Sequence, residues 1–188
     1  MTVTAIDPKT ALIVVDLQKG VVSVPTAQPI DGVVRNAAAL AAAFRRHRLP
    51  VVLVNVAGAA PGRTEMPRVL RDLPPDWAVL IPELDRQPQD HLVTKYTPGA
   101  FTSTGLEDFL RVSGVTQVVI AGVATSNGVE VTARQAFELG FNVTLATDAM
   151  TDMRPEAHAY CLAQVFPRIG ETGTTDDIIA LMEKGDRA

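Results

Sequence analysis

Asp16 and Lys95 are the two residues of this 188-residue chain best suited by type and position to move a proton or steady a charge. Asp16 closes the apolar run Ala11-Leu12-Ile13-Val14-Val15, and Lys95 follows Leu92-Val93-Thr94. An acid and a lysine at neighbouring strand ends perturb each other: the ammonium holds the carboxylate ionised, and a partly buried carboxylate keeps the ammonium charged. A structural salt bridge is the plainer alternative. Gln18, Asn55 and the turn Gly122-Val123-Ala124-Thr125-Ser126-Asn127-Gly128 also stand just past, or at the end of, apolar runs. In an open α/β sheet such positions face the ligand crevice beyond the carboxyl ends of the strands. The three histidines (His47, His91, His158) are scattered and make a poor metal set. Cys161 lies inside a helical pattern and reads as a small buried hydrophobe.

The elements that must position these groups are legible as continuous apolar runs. Ala11–Val15, Val51–Val56 and Val118–Gly122 are rich in β-branched residues, and Asn142–Thr147 repeats the pattern more weakly. Runs that do not alternate apolar with polar predict strands covered on both faces, as in a parallel sheet. Helical patterns lie between them. Val33, Ala37, Leu40, Ala41 and Phe44 share one stripe, with Asp31 as the expected N-cap and Arg45, Arg46 and Arg48 at the negative end. A second helix around Leu106–Leu110 ends at Gly114, and a third runs from about Ser126 to Leu139 and stops at Gly140. Two more span about 155–166 and 175–183. This alternation predicts one domain over residues 1–188 with a doubly wound, mostly parallel α/β sheet flanked by helices. The Pro-, Gly- and Arg-rich stretch Ala57–Asp90 reads as a functional loop or an oligomer contact, with a surface excursion as the alternative.

Composition narrows the class. Hydrophobic residues make up 47% and charged residues 20%, which places the chain among globular proteins. Seventeen Lys and Arg against 21 Asp and Glu give a net charge of −4, with no basic footprint for nucleic acid. One cysteine forms no internal disulfide. The start MTVTAIDPKT lacks the apolar core of a signal peptide, and no apolar run approaches the roughly 20 residues of a membrane span. The expectation is a soluble cytoplasmic protein with neither a nucleic-acid nor a membrane partner.

Three segments, in order, resemble the isochorismatase-like hydrolases, which include nicotinamidases, carbamoyl-amide hydrolases and isochorismatases. They are Val14-Val15-Asp16-Leu17-Gln18, then Thr94 to Phe101 with Thr104 and Leu106, then Ala121 to Val129 with Thr132-Ala133 and Ala136. The likeness runs from about residue 10 to 183. It implies a three-layer α/β sandwich that acts on a small molecule without a cofactor and assembles as a homo-oligomer. Most members use an Asp–Lys–Cys triad, so the resemblance implies that Asp16 is the acid/base and Lys95 its electrostatic partner. It implies a cis Val123–Ala124 peptide, with nearby backbone N–H groups forming an oxyanion hole at a helix N-terminus. Gln18, Phe101, Ala124, Thr125, Ser126 and Asn127 are then the substrate-binding residues.

The departure from that pattern is informative. Where the family places its nucleophilic cysteine, at the first turn of the third helix, this chain has Gly128. Glycine forms no acyl-enzyme. Three readings fit. The isochorismatase branch resembles this chain in lacking the cysteine. Its reaction protonates a vinyl ether on carbon and adds water to the oxocarbenium ion, with Asp16 as general acid, Lys95 binding the substrate carboxylate and Gly128 leaving room. Burial favours the protonated acid and Lys95 opposes it. In the second reading Ser126 or Thr125 replaces the thiol. Against this, Thr125 matches a threonine that holds the loop, and Ser126 falls where serine commonly caps a helix. In the third the chain is an inactive binding or structural member of the fold.

Smaller candidates complete the set. The nicotinamidase Asp/His metal cluster after the second strand is replaced by Asn55-Val56-Ala57-Gly58-Ala59-Ala60, so no metal is expected. Arg63, Arg68 and Arg71 could grip a carboxylate, although solvated arginines are commoner. Trp77 reads as core or interface, Glu130 and Arg134 as an ion pair, and Asp148 as a turn or capping residue.

Overall fold

The apolar runs pair into one parallel sheet because each is covered on both faces. The computed structural model describes residues 3–66 and 73–185. Its strands are β1 (Thr10–Val15), β2 (Val51–Val56), β3 (His91–Lys95), β4 (Gln117–Val123), β5 (Asn142–Thr151) and β6 (Glu171–Gly173). They lie in the order β3-β2-β1-β4-β5-β6, and every neighbouring pair is parallel. Along β1, Ala11, Ile13 and Val15 face one core, and Leu12 and Val14 face the other. All five are buried, so the strand carries no polar alternation.

Helices close both faces. On one side α2 (Ile30–Arg46) and α6 (Thr175–Gly185) pack on Leu12, Val14 and Leu53. On the other, α3 (Leu106–Val112), α4 (Glu130–Glu138) and the segment after α5 (Pro155–Tyr160) cover Ile13, Val15 and Val54. The short α1 (Lys19–Val22) follows β1. The stripe expected on α2 is the one buried: Val33, Ala37, Leu40, Ala41 and Phe44 are 0–3% exposed. Val33, Leu40 and Phe44 stabilise the layer by about 1.5–3 kcal/mol each.

Several local expectations need correction. Asp31 does not cap α2; Pro29 occupies the N-cap with φ −57°, and Asp31 sits in the first turn as a charge near the positive helix end. Arg45 serves the 57–90 segment as well as its helix end, donating to both carboxylate oxygens of buried Asp90 and to the Leu84 carbonyl. The third helix begins as a π-helical turn, Thr125–Val129, before α4. β5 runs on to Thr151 through a bulge, since Ile120 pairs with Leu145 but Gly122 with Met150. β6, only three residues long, carries no pattern that a sequence reading can detect. Among the described residues no helix is long and apolar enough to cross a membrane.

Candidate active site

Asp16 leaves β1 with its backbone in the left-handed region, φ +53°, and its N–H donates to the Val54 carbonyl. That conformation is uncommon outside glycine, and aspartate is among the residues that tolerate it. The turn aims the side chain at Lys95, whose Nζ lies 2.8 Å from Asp16 Oδ2. The strands they extend are not neighbours: β2 lies between β1 and β3, a gap of about 9.5 Å at ordinary strand spacing. The long lysine stem crosses it, and Nζ also donates to the Thr97 carbonyl at 3.3 Å. The two side chains are 8% and 2% exposed, so this is a buried ion pair rather than a surface one.

Gly128 completes the group. A Cβ at this position would lie 3.2 Å from Asp16 Oδ2, 3.2 Å from the Val123 carbonyl oxygen and 3.0 Å from Val15 Cγ1. Position 128 therefore abuts the carboxylate, and it holds only backbone. β4 reaches this close through Gly122, whose φ is +118° and where a Cβ would stand 2.0 Å from the Val15 carbonyl oxygen. The Val123–Ala124 peptide is cis, as the resemblance implies.

The turn that carries Gly128 is tied down by residues the sequence reading did not select. Thr125 Oγ1 and His158 Nδ1 are 2.8 Å apart in the interior. The Ser126 N–H and hydroxyl both donate to Asp152 Oδ2, at 2.7 and 2.8 Å. Ser126 is therefore not the expected N-cap; Ala124 holds that place, and the serine is spent on Asp152. The Thr132 hydroxyl donates to the Gly128 carbonyl and accepts from the Ala100 N–H, linking the turn to the segment after β3. A reading of β5 as ending at Thr147 draws attention to Asp148, whose Oδ1 accepts from the Thr175 N–H and hydroxyl at the start of α6. Once the bulge carries the strand to Thr151, the strand-end residue is Asp152, and the same rule would have selected it.

The remaining candidates divide. Asn127 is half-buried on the turn. Gln18 is buried, and its amide is consumed by the backbone: Oε1 accepts from the Val56 N–H, and Nε2 donates to the Val56 and Trp77 carbonyls. It pins the segment after β2 instead of presenting itself to a ligand. Phe101 packs against the core beside Phe141, and its N–H donates to Gln135. Arg63 is exposed and forms no ion pair among the described residues. Arg68 and Arg71 lie outside the described residues. Asn55 donates to the Ala78 carbonyl, Trp77 lies against Gly20, and Glu130 pairs with Arg134.

Cys161 is buried in a π-helical turn after α5. Burial, then Glu130 and Asp152, push its thiol pKa up, away from the thiolate that nucleophilic chemistry needs. Burial pushes the His158 imidazole pKa down and favours the neutral ring, with Asp152 opposing. Among the described residues no three His, Cys, Asp or Glu side chains converge as a metal site.

Comparison with known proteins agrees with this geometry. The isochorismatase domain model matches residues 10–177. The chain is 41% identical over 181 residues to the isochorismatase family protein YwoC of Bacillus subtilis, covering 91% of this chain and 93% of that one. It is 37% identical over 141 residues to a streptothricin hydrolase of Streptomyces noursei, covering 74% of this chain and 48% of that protein. The structure of an isochorismatase family protein from Burkholderia thailandensis aligns with a TM-score of 0.91 at 39% identity, covering 95% of this chain and 98% of that chain. With its parallel sheet, its paired Asp16 and Lys95 and its Gly122–Val129 turn, the chain belongs to the isochorismatase family.

Proposed function

We propose that this protein is a small-molecule hydrolase that works without a thiol, with Asp16 transferring the proton, Lys95 balancing its charge and Gly128 leaving space for the reacting carbon. The observation that carries the reading is the buried Asp16–Lys95 pair set against a glycine that leaves the carboxylate uncovered by any side chain at that position. The matched streptothricin hydrolase is named for hydrolysis, which supports the reaction class. The substrate is an anionic vinyl ether or a related C–O or C–N compound. Its carboxylate engages the Lys95 ammonium and offsets the hold of that ammonium on Asp16. The buried carboxyl then takes up a proton. Asp16 delivers this proton to the vinyl carbon, the C=C electron pair forms the new C–H bond, and the oxocarbenium ion captures water. Loss of a proton from that water to Asp16 leaves a hemiketal, which collapses to an alcohol and a carbonyl compound. No cofactor enters, and a cytoplasmic location suits a protein whose single cysteine is reduced and buried.

The test compares the purified protein with Asp16→Asn on a panel of vinyl ethers and small amides. Turnover that survives iodoacetamide and is lost in Asp16→Asn is expected. Loss of about 10²–10⁴-fold would match a general acid. Thiol-sensitive turnover would instead assign the chemistry to Cys161, and absence of turnover across the panel would favour a binding protein on this scaffold.

A further inference from the structure

A concavity of about 620 Å³ opens where the β5 bulge, the first turns of α2 and the segment after Pro155 meet. Neither Asp16, Lys95 nor Gly128 lines it. Leu162 gives it apolar surface, with buried Val33 and Met150 beneath, and its buried polar group is His158, only 6% exposed. One imidazole nitrogen, Nδ1, meets Thr125 Oγ1. The other, Nε2, makes no hydrogen bond among the described residues and is not among the fully enclosed unsatisfied atoms. It therefore reaches accessible space, and the groove is the space that His158 lines. On the rim, Asp31 and Arg35 sit one turn apart on α2, an i,i+4 spacing of about 5–6 Å between Cβ atoms. They form no salt bridge with each other among the described residues. The 17-residue α2 has no side-chain cap at its amino end, and Asp31 stands in its first turn. The other rim acid, Asp148, is engaged by Thr175.

We propose that this groove binds a small amino-acid-like zwitterion. Its carboxylate lies between Arg35 and His158 Nε2–H, its ammonium faces Asp31, and its aliphatic part covers Leu162. Binding reaches the Thr125–Val129 turn through one proton. A neutral imidazole carries a single N–H, so a ligand that accepts from Nε2–H makes Nδ1 the acceptor and the Thr125 hydroxyl the donor. Occupancy thereby selects one hydrogen-bond arrangement at the start of the Thr125–Val129 turn, three residues before Gly128. This site does not depend on the hydrolase reading, and its test needs no substrate.

The test is an NMR titration of the ¹⁵N-labelled full chain with 4-aminobutyrate, with butyramide as the neutral control. Saturable shifts at the His158 imidazole and the Thr125 and Gly128 amides are expected, absent with butyramide. Arg35→Gln and Asp31→Asn, both at exposed positions that leave the fold intact, should each weaken binding at least ten-fold, or about 1.4 kcal/mol. No saturation with 4-aminobutyrate up to about 50 mM, well above the 1 mM that corresponds to roughly −4 kcal/mol, overturns the site. Unchanged affinity in Arg35→Gln overturns the carboxylate placement, and unchanged affinity in Asp31→Asn overturns the zwitterion assignment.

Discussion

Replacing Lys95 with methionine keeps most of the buried stem and removes only the charge, so it isolates the electrostatics of the site. At 2.8 Å the pair attracts by about 6 kcal/mol with an effective dielectric of 20. Much of this offsets the cost of taking both ions out of water, but in Lys95→Met the Asp16 carboxylate stays buried and loses the ammonium 2.8 Å away. Breaking one side of such a pair costs about 3–5 kcal/mol. For a chain of this length that lowers Tm by roughly 6–20 °C. The pH dependence follows from linkage. Without the ammonium, burial disfavours the ionised form of Asp16 in the folded chain relative to the unfolded one, where an aspartate titrates near about 3.9. Below that value both states are protonated and the penalty vanishes; it grows as pH rises and the unfolded chain ionises while the folded one resists. The stability gap between parent and Lys95→Met is therefore expected to be small near pH 4 and full near pH 7.5. The double variant Asp16→Asn/Lys95→Met, which buries no charge, should recover most of the loss. Urea denaturation across this range is the assay. A gap that does not change with pH, or a double variant as unstable as the single one, would place the loss in packing and refute the electrostatic account.

Four further outcomes are expected. Gly128→Ala crowds Val15, Asp16 and the Val123 carbonyl at 3.0–3.2 Å without a backbone penalty, so urea melts should show a cost of about 1–3 kcal/mol. Arg45→Ala leaves Asp90 buried without its bidentate partner; a loss of about 3–5 kcal/mol and faster proteolysis within residues 57–90 are expected. Because burial depresses the folded-state pKa of His158, the folded chain binds fewer protons than the unfolded one just below pH 6.5. Stability should thus fall as pH drops through that window, and His158→Asn should flatten the slope in thermal melts. Light scattering at about ten micromolar should report a homo-oligomer rather than a 20.1 kDa monomer, since Phe137 and Tyr160 remain half or more exposed on one chain.

What the sequence by itself determined is the part governed by local chemistry. Runs such as Leu12–Val15 and Val51–Val54 have no polar alternation to bury on one side only, so they belong to a sheet covered on both faces. The stripe on α2 and the strand-end positions of Asp16 and Lys95 follow from the same patterning, as does Asp148 in a capping role. What only the tertiary structure decided depends on register and on partners distant in sequence. Gln18 holds Val56 and Trp77, 38 and 59 residues away, and no spacing rule discloses that its amide is already spent. Arg45 finds Asp90 and the Leu84 carbonyl because residues 84–90 lie against α2. Above all, the bulge in β5 moves the strand end from Asp148 to Asp152, which brings Asp152 under Ser126 and leaves His158 between Thr125 and the groove. A register offset of that kind comes from how β5 pairs with β4, and pairing is a property of the folded sheet rather than of either segment.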